Sequence, residues 1–438
     1  MHFNFSKNTT FILPDSNIFR DSIISLFIKL AGIIFTFLLH IFIARFLGVH
    51  EFGTYVVAIN FTNILLVFSL CGQNQVWLRF IPEFLNANNY SFIRILIRFS
   101  RRLVLLSSIL ISFIILLLYN LLPMLPFPML ISMLLSAFYL PFLSLLSLES
   151  TGLRAFNKVF AALFPYNIIR PIIAFSLLYV FIYVITLSPV SFIAMLSIVI
   201  SSIICVIIYR YLSRSLYLNI TDSSSPSCFP YRTWLFTGIH MIFISGFGLL
   251  LRHIDVIMIG FIRSPSDAGI YYASVRIADF IIFGLNSVNF IIAPLISKYY
   301  FSGKHTELQR IITYSSRIIF SLTLIAFLFV ILLGGWGLGL FGSDFLTSYP
   351  SLAILSIGQL VNALSGSVGY ICIMTGHEST SSLVLGLSVI MNIILNYSLI
   401  VPFGIIGAAI ATALTTIIWN LILVIYVYKR IGFNSTIF

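Results

Sequence analysis

Charged residues are scarce in this sequence, since Asp, Glu, Lys and Arg together make up only 8% of its 438 residues. Cysteine is rare as well. The four cysteines have no CxxC spacing, which argues against a disulfide framework and a zinc site. They are Cys71, Cys205, Cys228 and Cys372. No polar segment is long enough to form an additional domain with clustered Asp, Glu or His, so an enzyme that works outside a membrane is not expected.

Long apolar segments take the place of the missing charge. Hydrophobic residues make up 60% of the chain, 43 residues are Phe, and the mean hydropathy is +1.10. Apolar stretches of about 20 residues recur along the whole chain, which is the length of a membrane-spanning helix. They are too long and too uniformly apolar for the alternating strands of a membrane β-barrel. The sequence therefore predicts an all-α integral membrane protein whose first helix is retained rather than cleaved as a signal peptide.

Segmentation by hydropathy predicts twelve transmembrane helices. Their bounds carry an uncertainty of about 2 to 4 residues at each end. The predicted spans are 22–47, 52–72, 103–121, 129–149, 159–184, 190–209, 234–261, 270–297, 312–334, 350–373, 380–401 and 404–428.

Basic residues fall almost entirely on one side of this predicted bundle. When the segments between spans are assigned alternately to the two sides, one side holds only Arg45 and Arg263. The positive-inside rule assigns the other, basic side to the cytoplasm, and both termini with it. The formal net charge of +12 is then expected to face anionic lipid headgroups. The lipid bilayer is thus a predicted partner, and nucleic acid is not.

A short motif occurs twice, about half the chain apart, as RFLGVHEFGTY at Arg45–Tyr55 and as FIRSPSDAGIY at Phe261–Tyr271. Such a duplication is typical of membrane carriers built from two repeats. Six helices per repeat is an even number, so both repeats enter the membrane the same way round. We therefore predict two six-helix lobes, 1–215 and 232–438, related by a parallel pseudo-two-fold axis and joined by a cytoplasmic linker at 216–231.

Small residues in these motifs indicate close packing. Gly53 and Gly269 are expected at tight turns or where two backbones approach closely. Gly407, Ala408 and Ala411 form a small-residue face suited to close helix contact.

The first motif and a late run together carry a family resemblance. Ala44–Gly48 with Glu51–Tyr55, and the segment Asn392–Thr412, resemble the Wzx-type polysaccharide biosynthesis (O-antigen) flippases of the multidrug/oligosaccharidyl-lipid/polysaccharide exporter superfamily. The resemblance implies a transporter without catalytic residues, cofactor or metal. It would move an undecaprenyl-diphosphate-linked oligosaccharide repeat unit from the cytoplasmic to the periplasmic leaflet of the bacterial inner membrane by alternating access.

The resemblance also has consequences for substrate and partners. The chain lacks the two additional C-terminal helices of the peptidoglycan-precursor branch, which favours O-antigen, capsule or exopolysaccharide units. A polymerase and a chain-length regulator of the same pathway are candidate partners. Two alternatives stay open, namely a cation-coupled multidrug exporter of the same superfamily and a membrane oligosaccharide polymerase.

Four cations lie inside predicted spans, and each would cost about 2.5 to 3.5 kcal/mol at the centre of a lipid-facing helix. They are Lys29, Arg170, Arg252 and Arg276. We therefore expect them to face the interior, where a guanidinium fork suits a diphosphate. Lys29 and Arg170 have no carboxylate within one helical turn, which makes them the stronger candidates for a cationic cavity. Pro171 is expected to loosen the helix next to Arg170.

The other two arginines have an aspartate three residues later. Asp255 follows Arg252 and Asp279 follows Arg276, and this spacing places each pair on one helical face. Two interpretations stay open: the pairs neutralise each other and have a structural role, or the arginines bind substrate while the aspartates tune them or carry protons. In the second interpretation His253 could also act as a proton relay, although a membrane histidine more often makes an interhelical hydrogen bond.

Overall fold

The computed structural model describes residues 16–119, 127–186, 190–218 and 231–437, and within these ranges it is helical and contains no strand. The first half of the chain forms α1 (Ser16–Ser69), α2 (Gln73–Asn86), α3 (Tyr90–Tyr119), α4 (Phe127–Ala155), α5 (Val159–Phe164), α6 (Arg170–Tyr179) and α7 (Ser191–Leu218). One π-helical turn, Pro165–Ile169, joins α5 to α6, and another, Val180–Val184, extends α6.

The second half has the same character. Its helices are α8 (Tyr231–Ile262), α9 (Pro265–Ala278), α10 (Phe283–Phe301), α11 (His305–Gly339), α12 (Tyr349–Leu364), α13 (Val368–Met374) and α14 (Glu378–Tyr426). A 3-10 turn, Ser343–Ser348, precedes α12, and a π-helical turn, Val427–Ile431, extends α14.

The chain is a multi-pass membrane protein. Seven helical segments of the described ranges are long and apolar enough to cross a bilayer, and three bent pairs of helices raise the number of candidates to ten. The bent pairs are the two parts of α8, α9 with α10, and α12 with α13.

Glycines interrupt the two longest helices. Gly48 in α1 has φ 76° and Gly404 in α14 has φ 58°, a left-handed conformation that glycine adopts at little cost. At 1.5 Å per residue, both helices are far longer than the roughly 30 Å of a hydrocarbon core. The breaks fall where the hydropathy pattern predicts boundaries between adjacent spans.

The structure differs from the predicted connection at 73–102 and describes only part of the predicted linker. The segment 73–102, predicted as a cytoplasmic connection, is helical for most of its length, because α2 occupies it and α3 begins at Tyr90. Arginines recur in it and lower its hydropathy, although the helix that begins at Tyr90 is as a whole long and apolar enough to span a bilayer. Of the predicted linker 216–231, residues 219–230 lie outside the described residues.

The two motif glycines meet each other in the folded chain. Neither has a positive φ, so the tight-turn interpretation is wrong and Gly48 is the turn of the first motif. A methyl group added at Gly53 would lie 1.7 Å from the carbonyl oxygen of Pro265, and one added at Gly269 would lie 2.9 Å from the Cα of Gly53. The expectation of close approach agrees with this geometry, because α1 and α9 touch through their backbones.

Further contacts hold the halves together at the same end. The Arg45 guanidinium donates to the carbonyl oxygens of Leu340 (2.7 Å) and Gly339 (2.9 Å), where α11 ends. Beside it, the ring of Phe52 packs against those of Phe341 and Phe345. The charge of Arg45 also complements the negative end of the helix dipole. Both halves are therefore in direct contact at the end that contains Arg45.

Candidate functional site

Arg170 is a partly buried cation of the first half, and tyrosines lie against its guanidinium group. It is the first residue of α6 and directly follows the π-helical turn, an irregularity consistent with the expected effect of neighbouring prolines. Its Nη2 donates to the hydroxyl of Tyr139, and its guanidinium carbon lies 5.2 Å from the ring centroid of Tyr166. Nε has no partner, and no carboxylate pairs with Arg170 among the described residues.

Arg276 occupies a similar setting in the second half. Its guanidinium carbon lies 4.4 Å from the ring centroid of Tyr272, and Nη1 donates to Asp279 Oδ2 at 3.0 Å. Nε is buried without a partner in the described part of the chain. The spacing of three residues therefore produces the predicted pair here, while one donor of the fork stays available.

The two arginines converge on one aromatic cluster between the halves. His40 and Tyr55 of α1 lie close enough to both guanidinium groups to interact with them electrostatically. The His40 ring contacts the Tyr272 ring edge-on at 5.3 Å. Opposite halves of the chain thus each contribute one tyrosine-stacked arginine to a shared interior region, with cation–π contacts in place of a full set of carboxylates.

Arg252 and Asp255 do not form the pair that their spacing suggested. Arg252 is exposed, whereas Asp255 is buried and its Oδ2 accepts hydrogen bonds from the hydroxyls of Tyr271 (3.0 Å) and Thr412 (2.8 Å). Those partners come from α9 and α14, so tertiary packing holds the aspartate instead of the local arginine. Within the described ranges the structure contains no Arg252–Asp255 ion pair.

His253 makes an interhelical contact. Its Nδ1 lies 2.6 Å from Oδ1 of Asn60, so a buried hydrogen bond links α8 to α1 across the two halves. Such a contact is the more common role of a membrane histidine.

Lys29 lies apart from the arginine cluster. Its side chain is exposed on α1. The positive charge of Arg154, in the last turn of α4, is close enough to repel it. This gives the first half two neighbouring like charges, which would attract an anion approaching from the Arg154 end of the bundle.

The tyrosines of the site were not among the residues predicted from the sequence. A signal was present, however. Tyr166 precedes Arg170 by four residues and Tyr272 precedes Arg276 by four, a spacing that brings ring and guanidinium together on one helical face. His40, Asn60 and Tyr139 carry no comparable local signal.

Comparison with known proteins decides the family. Residues 18–300 match the model of the family described as polysaccharide biosynthesis protein. The chain belongs to this family. Part of it also resembles two proteins of Haloferax volcanii, "Probable low-salt glycan biosynthesis flippase Agl15" (27% identical over 169 residues) and "Probable flippase AglR" (29% over 174 residues). The matched regions cover 38% and 39% of this chain, and it spans just over a third of the length of these curated relatives, 36% and 37%.

Solved structures agree on the fold. An inward-facing multidrug resistance MATE family transporter superposes with a TM-score of 0.78 at 14% identity, covering 94% of this chain and 98% of the other. A superfamily transporter from Pyrococcus furiosus gives 0.69 at 13% identity and covers 95% of both chains. The lipid II flippase MurJ gives 0.68 at 17% identity, covering 94% and 88%.

These comparisons confirm several predictions made from the sequence. The chain is a member of the polysaccharide biosynthesis protein family, and its fold is helical and MATE-like. Both curated relatives carry flippase names, which favours transport over the polymerase alternative.

Proposed function

We propose that this polysaccharide biosynthesis protein carries a polyprenyl-diphosphate-linked oligosaccharide, in bacteria an undecaprenyl-linked repeat unit, from the cytoplasmic to the outer leaflet by alternating access. The observation that carries the proposal is the pair Arg170 and Arg276, contributed by opposite halves to one interior region. Each keeps an unpartnered Nε in the described structure. A bidentate guanidinium matches the geometry of phosphate oxygens better than any other side chain does.

Electrostatics favour an anionic cargo over the organic cations of a multidrug exporter. Of the two aspartates near the centre, Asp279 is paired with Arg276, and Asp255 is buried with one carboxylate oxygen held by Tyr271 and Thr412. A diphosphate carries about two negative charges, and moving each one outward through an inside-negative potential gains about 2.3 kcal/mol per 100 mV. The membrane potential alone would therefore assist export and return the empty cationic site.

We propose a topology of twelve spans, six in a lobe 1–215 and six in a lobe 232–438, with both termini in the cytoplasm. The breaks at Gly48 and Gly404 support it, because α1 and α14 would then supply two spans each. The remaining long helices and the three bent pairs supply the others. In a bacterium this arrangement belongs in the inner membrane, where the pathway's polymerase and chain-length regulator would be available as partners.

This topology predicts opposite labelling of the two ends of α11. Ser302→Cys, next to the basic end, is expected to react only with a membrane-permeant maleimide in intact cells, because the positive-inside rule assigns it to the cytoplasm. Ser343→Cys, beyond the other end of the helix, is expected to react with an impermeant one. Both serines are exposed, and the four native cysteines are replaced by alanine in the background. Labelling of both positions from the same side would contradict the proposal.

Complementation separates the proposed function from its alternative. We expect the protein to restore surface glycan in at least one flippase-null strain from a set with defined diphosphate-linked repeat units. The alternative, a cation-coupled multidrug exporter, predicts efflux of ethidium from the same cells without any glycan phenotype. Ethidium efflux together with absent glycan rescue in every strain would reject the flippase proposal.

A further inference from the structure

A separate cavity of about 320 Å³ lies inside the second half, between α8, α9, α12 and α14. Its polar wall consists of Arg252, Asp255, Asp279, Gln359, Asn362, Thr412 and Thr416. This volume is at the lower end of the range for small-molecule sites, so it suits one sugar-sized ring and not an entire repeat unit. Asp279 connects the cavity to the arginine cluster, because its carboxylate also accepts from Arg276.

The polar groups of this cavity are held in place by the protein but are not fully used by it. Asp255 is only 3% exposed, and its Oδ1 has no partner in the described structure. Asn420 donates to Asn362 Oδ1 (3.0 Å), and Asn362 donates to Gln359 Oε1 (3.2 Å). These two hydrogen bonds fix the Gln359 amide, and its nitrogen has no acceptor among the residues that the structure describes. The wall therefore offers a fixed acceptor and a fixed donor to a ligand.

The charge of the cavity is balanced, which narrows the ligand class. Arg252, Asp255 and Asp279 line the cavity, and Arg276, which is not part of the lining, neutralises Asp279 from behind the wall. The charges that remain are those of Arg252 and Asp255, one of each sign. A site for a bare cation would be expected to carry net negative charge, and a phosphate site net positive charge. A neutral ligand rich in hydroxyl groups uses buried amide, carboxylate and hydroxyl groups without either requirement. Trp419 adds an apolar wall for the face of a ring.

We propose that this cavity is the sugar subsite of the transporter, which binds an uncharged hydroxylated ring of the glycan while the arginine cluster holds the diphosphate. The inference rests on the proposed function and extends it. It assigns the two chemical parts of the cargo to different regions, the diphosphate to the cationic interface between the halves and the sugar to the neutral cavity of the second half.

The test measures equilibrium binding to the purified full chain in nanodiscs with two kinds of probe. One is farnesyl diphosphate, and the other is farnesyl diphosphate carrying a single glucose, galactose or N-acetylglucosamine. We expect at least one sugar-bearing probe to bind the unchanged protein more tightly than the bare diphosphate. Gln359→Ala is expected to weaken that probe about 10-fold, as the loss of a buried hydrogen bond implies, without changing the affinity of the bare probe.

Two further variants keep the result interpretable. Thr416→Val removes a hydroxyl group from the wall with little change in shape, so it is expected to reduce the sugar preference even if Gln359→Ala lowers stability. Gln75→Ala replaces a glutamine by alanine in α2, away from the cavity, and is expected to retain the preference for the sugar-bearing probe.

The outcomes distinguish the two levels of the proposal. If the bare diphosphate binds but no attached sugar changes its affinity, the sugar subsite is rejected while the proposed function stands. The same holds if Gln359→Ala and Thr416→Val leave the sugar preference intact, or if they alter only a dependence on sodium, which would make the cavity a cation site. If neither probe binds the unchanged protein, both proposals fail.

Discussion

Arg170→Ala is expected to reduce glycan export about 10- to 100-fold, the effect of losing hydrogen bonds between a charged donor and its partner. The guanidinium lies at the interface region, its Nη2 bonded to Tyr139 and its Nε unpartnered in the described chain. Removing it takes away both the charge and the fork that would hold the diphosphate. Export is measured as surface glycan in a complemented flippase-null strain, normalised to the amount of protein in the membrane.

Matched variants separate binding from folding. Arg170→Lys keeps the charge but loses the planar fork, so an intermediate loss is expected. Arg276→Ala should reduce export by a similar amount. The double variant should reduce it by less than the product of the two single fold-changes, because both groups act on one anion.

Lys29→Ala should have a smaller effect, since Lys29 lies apart from the cluster. Arg310→Ala, at an exposed position of α11, serves as the control. Wild-type export by both single arginine variants and by the double variant would remove these residues from the mechanism.

Gly53→Ala is expected to be the most disruptive of the conservative substitutions, although alanine favours helices over glycine. The added methyl would lie 1.7 Å from the Pro265 carbonyl oxygen, so α1 and α9 would have to separate. Overpacking of this kind costs about 1 to 3 kcal/mol or more, which reduces the population of the contacting state by about 5- to 160-fold. We expect a lower melting temperature and loss of most export activity.

Gly335→Ala is the matched control for this substitution. Gly335 also lies in a helix, and nothing lies within 4 Å of the position its methyl group would occupy. Alanine there should be neutral or slightly stabilising. If Gly53→Ala behaved like Gly335→Ala in melting temperature and export, the direct backbone contact between the two halves would not exist in the working protein.

The sequence predicts the membrane architecture well because the signal is large and local. Runs of about 20 apolar residues mark spans irrespective of their neighbours. The helix α2 escapes this signal because it has only 14 residues and because Arg79, Glu83 and several Asn and Gln residues lower its hydropathy. The repeated motif is visible in the sequence, but the direct contact of Gly53 with the second copy depends on the packing of α1 against α9 and cannot be predicted from spacing.

Among the charged residues of the site, those held by local contacts were predictable and those held by tertiary contacts were not. Arg276 and Asp279 form the pair that their spacing predicts. Arg252 and Asp255 have the identical spacing but do not pair. The Asp255 carboxylate is buried and accepts hydrogen bonds from Tyr271 and Thr412 instead. Thr412 is far from Asp255 in the sequence, and a local rule cannot predict its contribution. The spacing of four residues between tyrosine and arginine is a local pattern that predicts the stacking of ring on guanidinium.

The central claim is that an interior arginine pair carries a diphosphate-linked glycan between leaflets, and translocation in reconstituted liposomes tests it most directly. A fluorescent farnesyl-diphosphate-linked sugar is placed in both leaflets, and the fraction accessible to an external diphosphatase is followed with time. The account predicts that liposomes with the protein expose the inner pool much faster than protein-free liposomes, and that the Arg170→Ala/Arg276→Ala variant loses most of this acceleration. Equal rates with the unchanged protein and the double variant, or no acceleration by either, would contradict it.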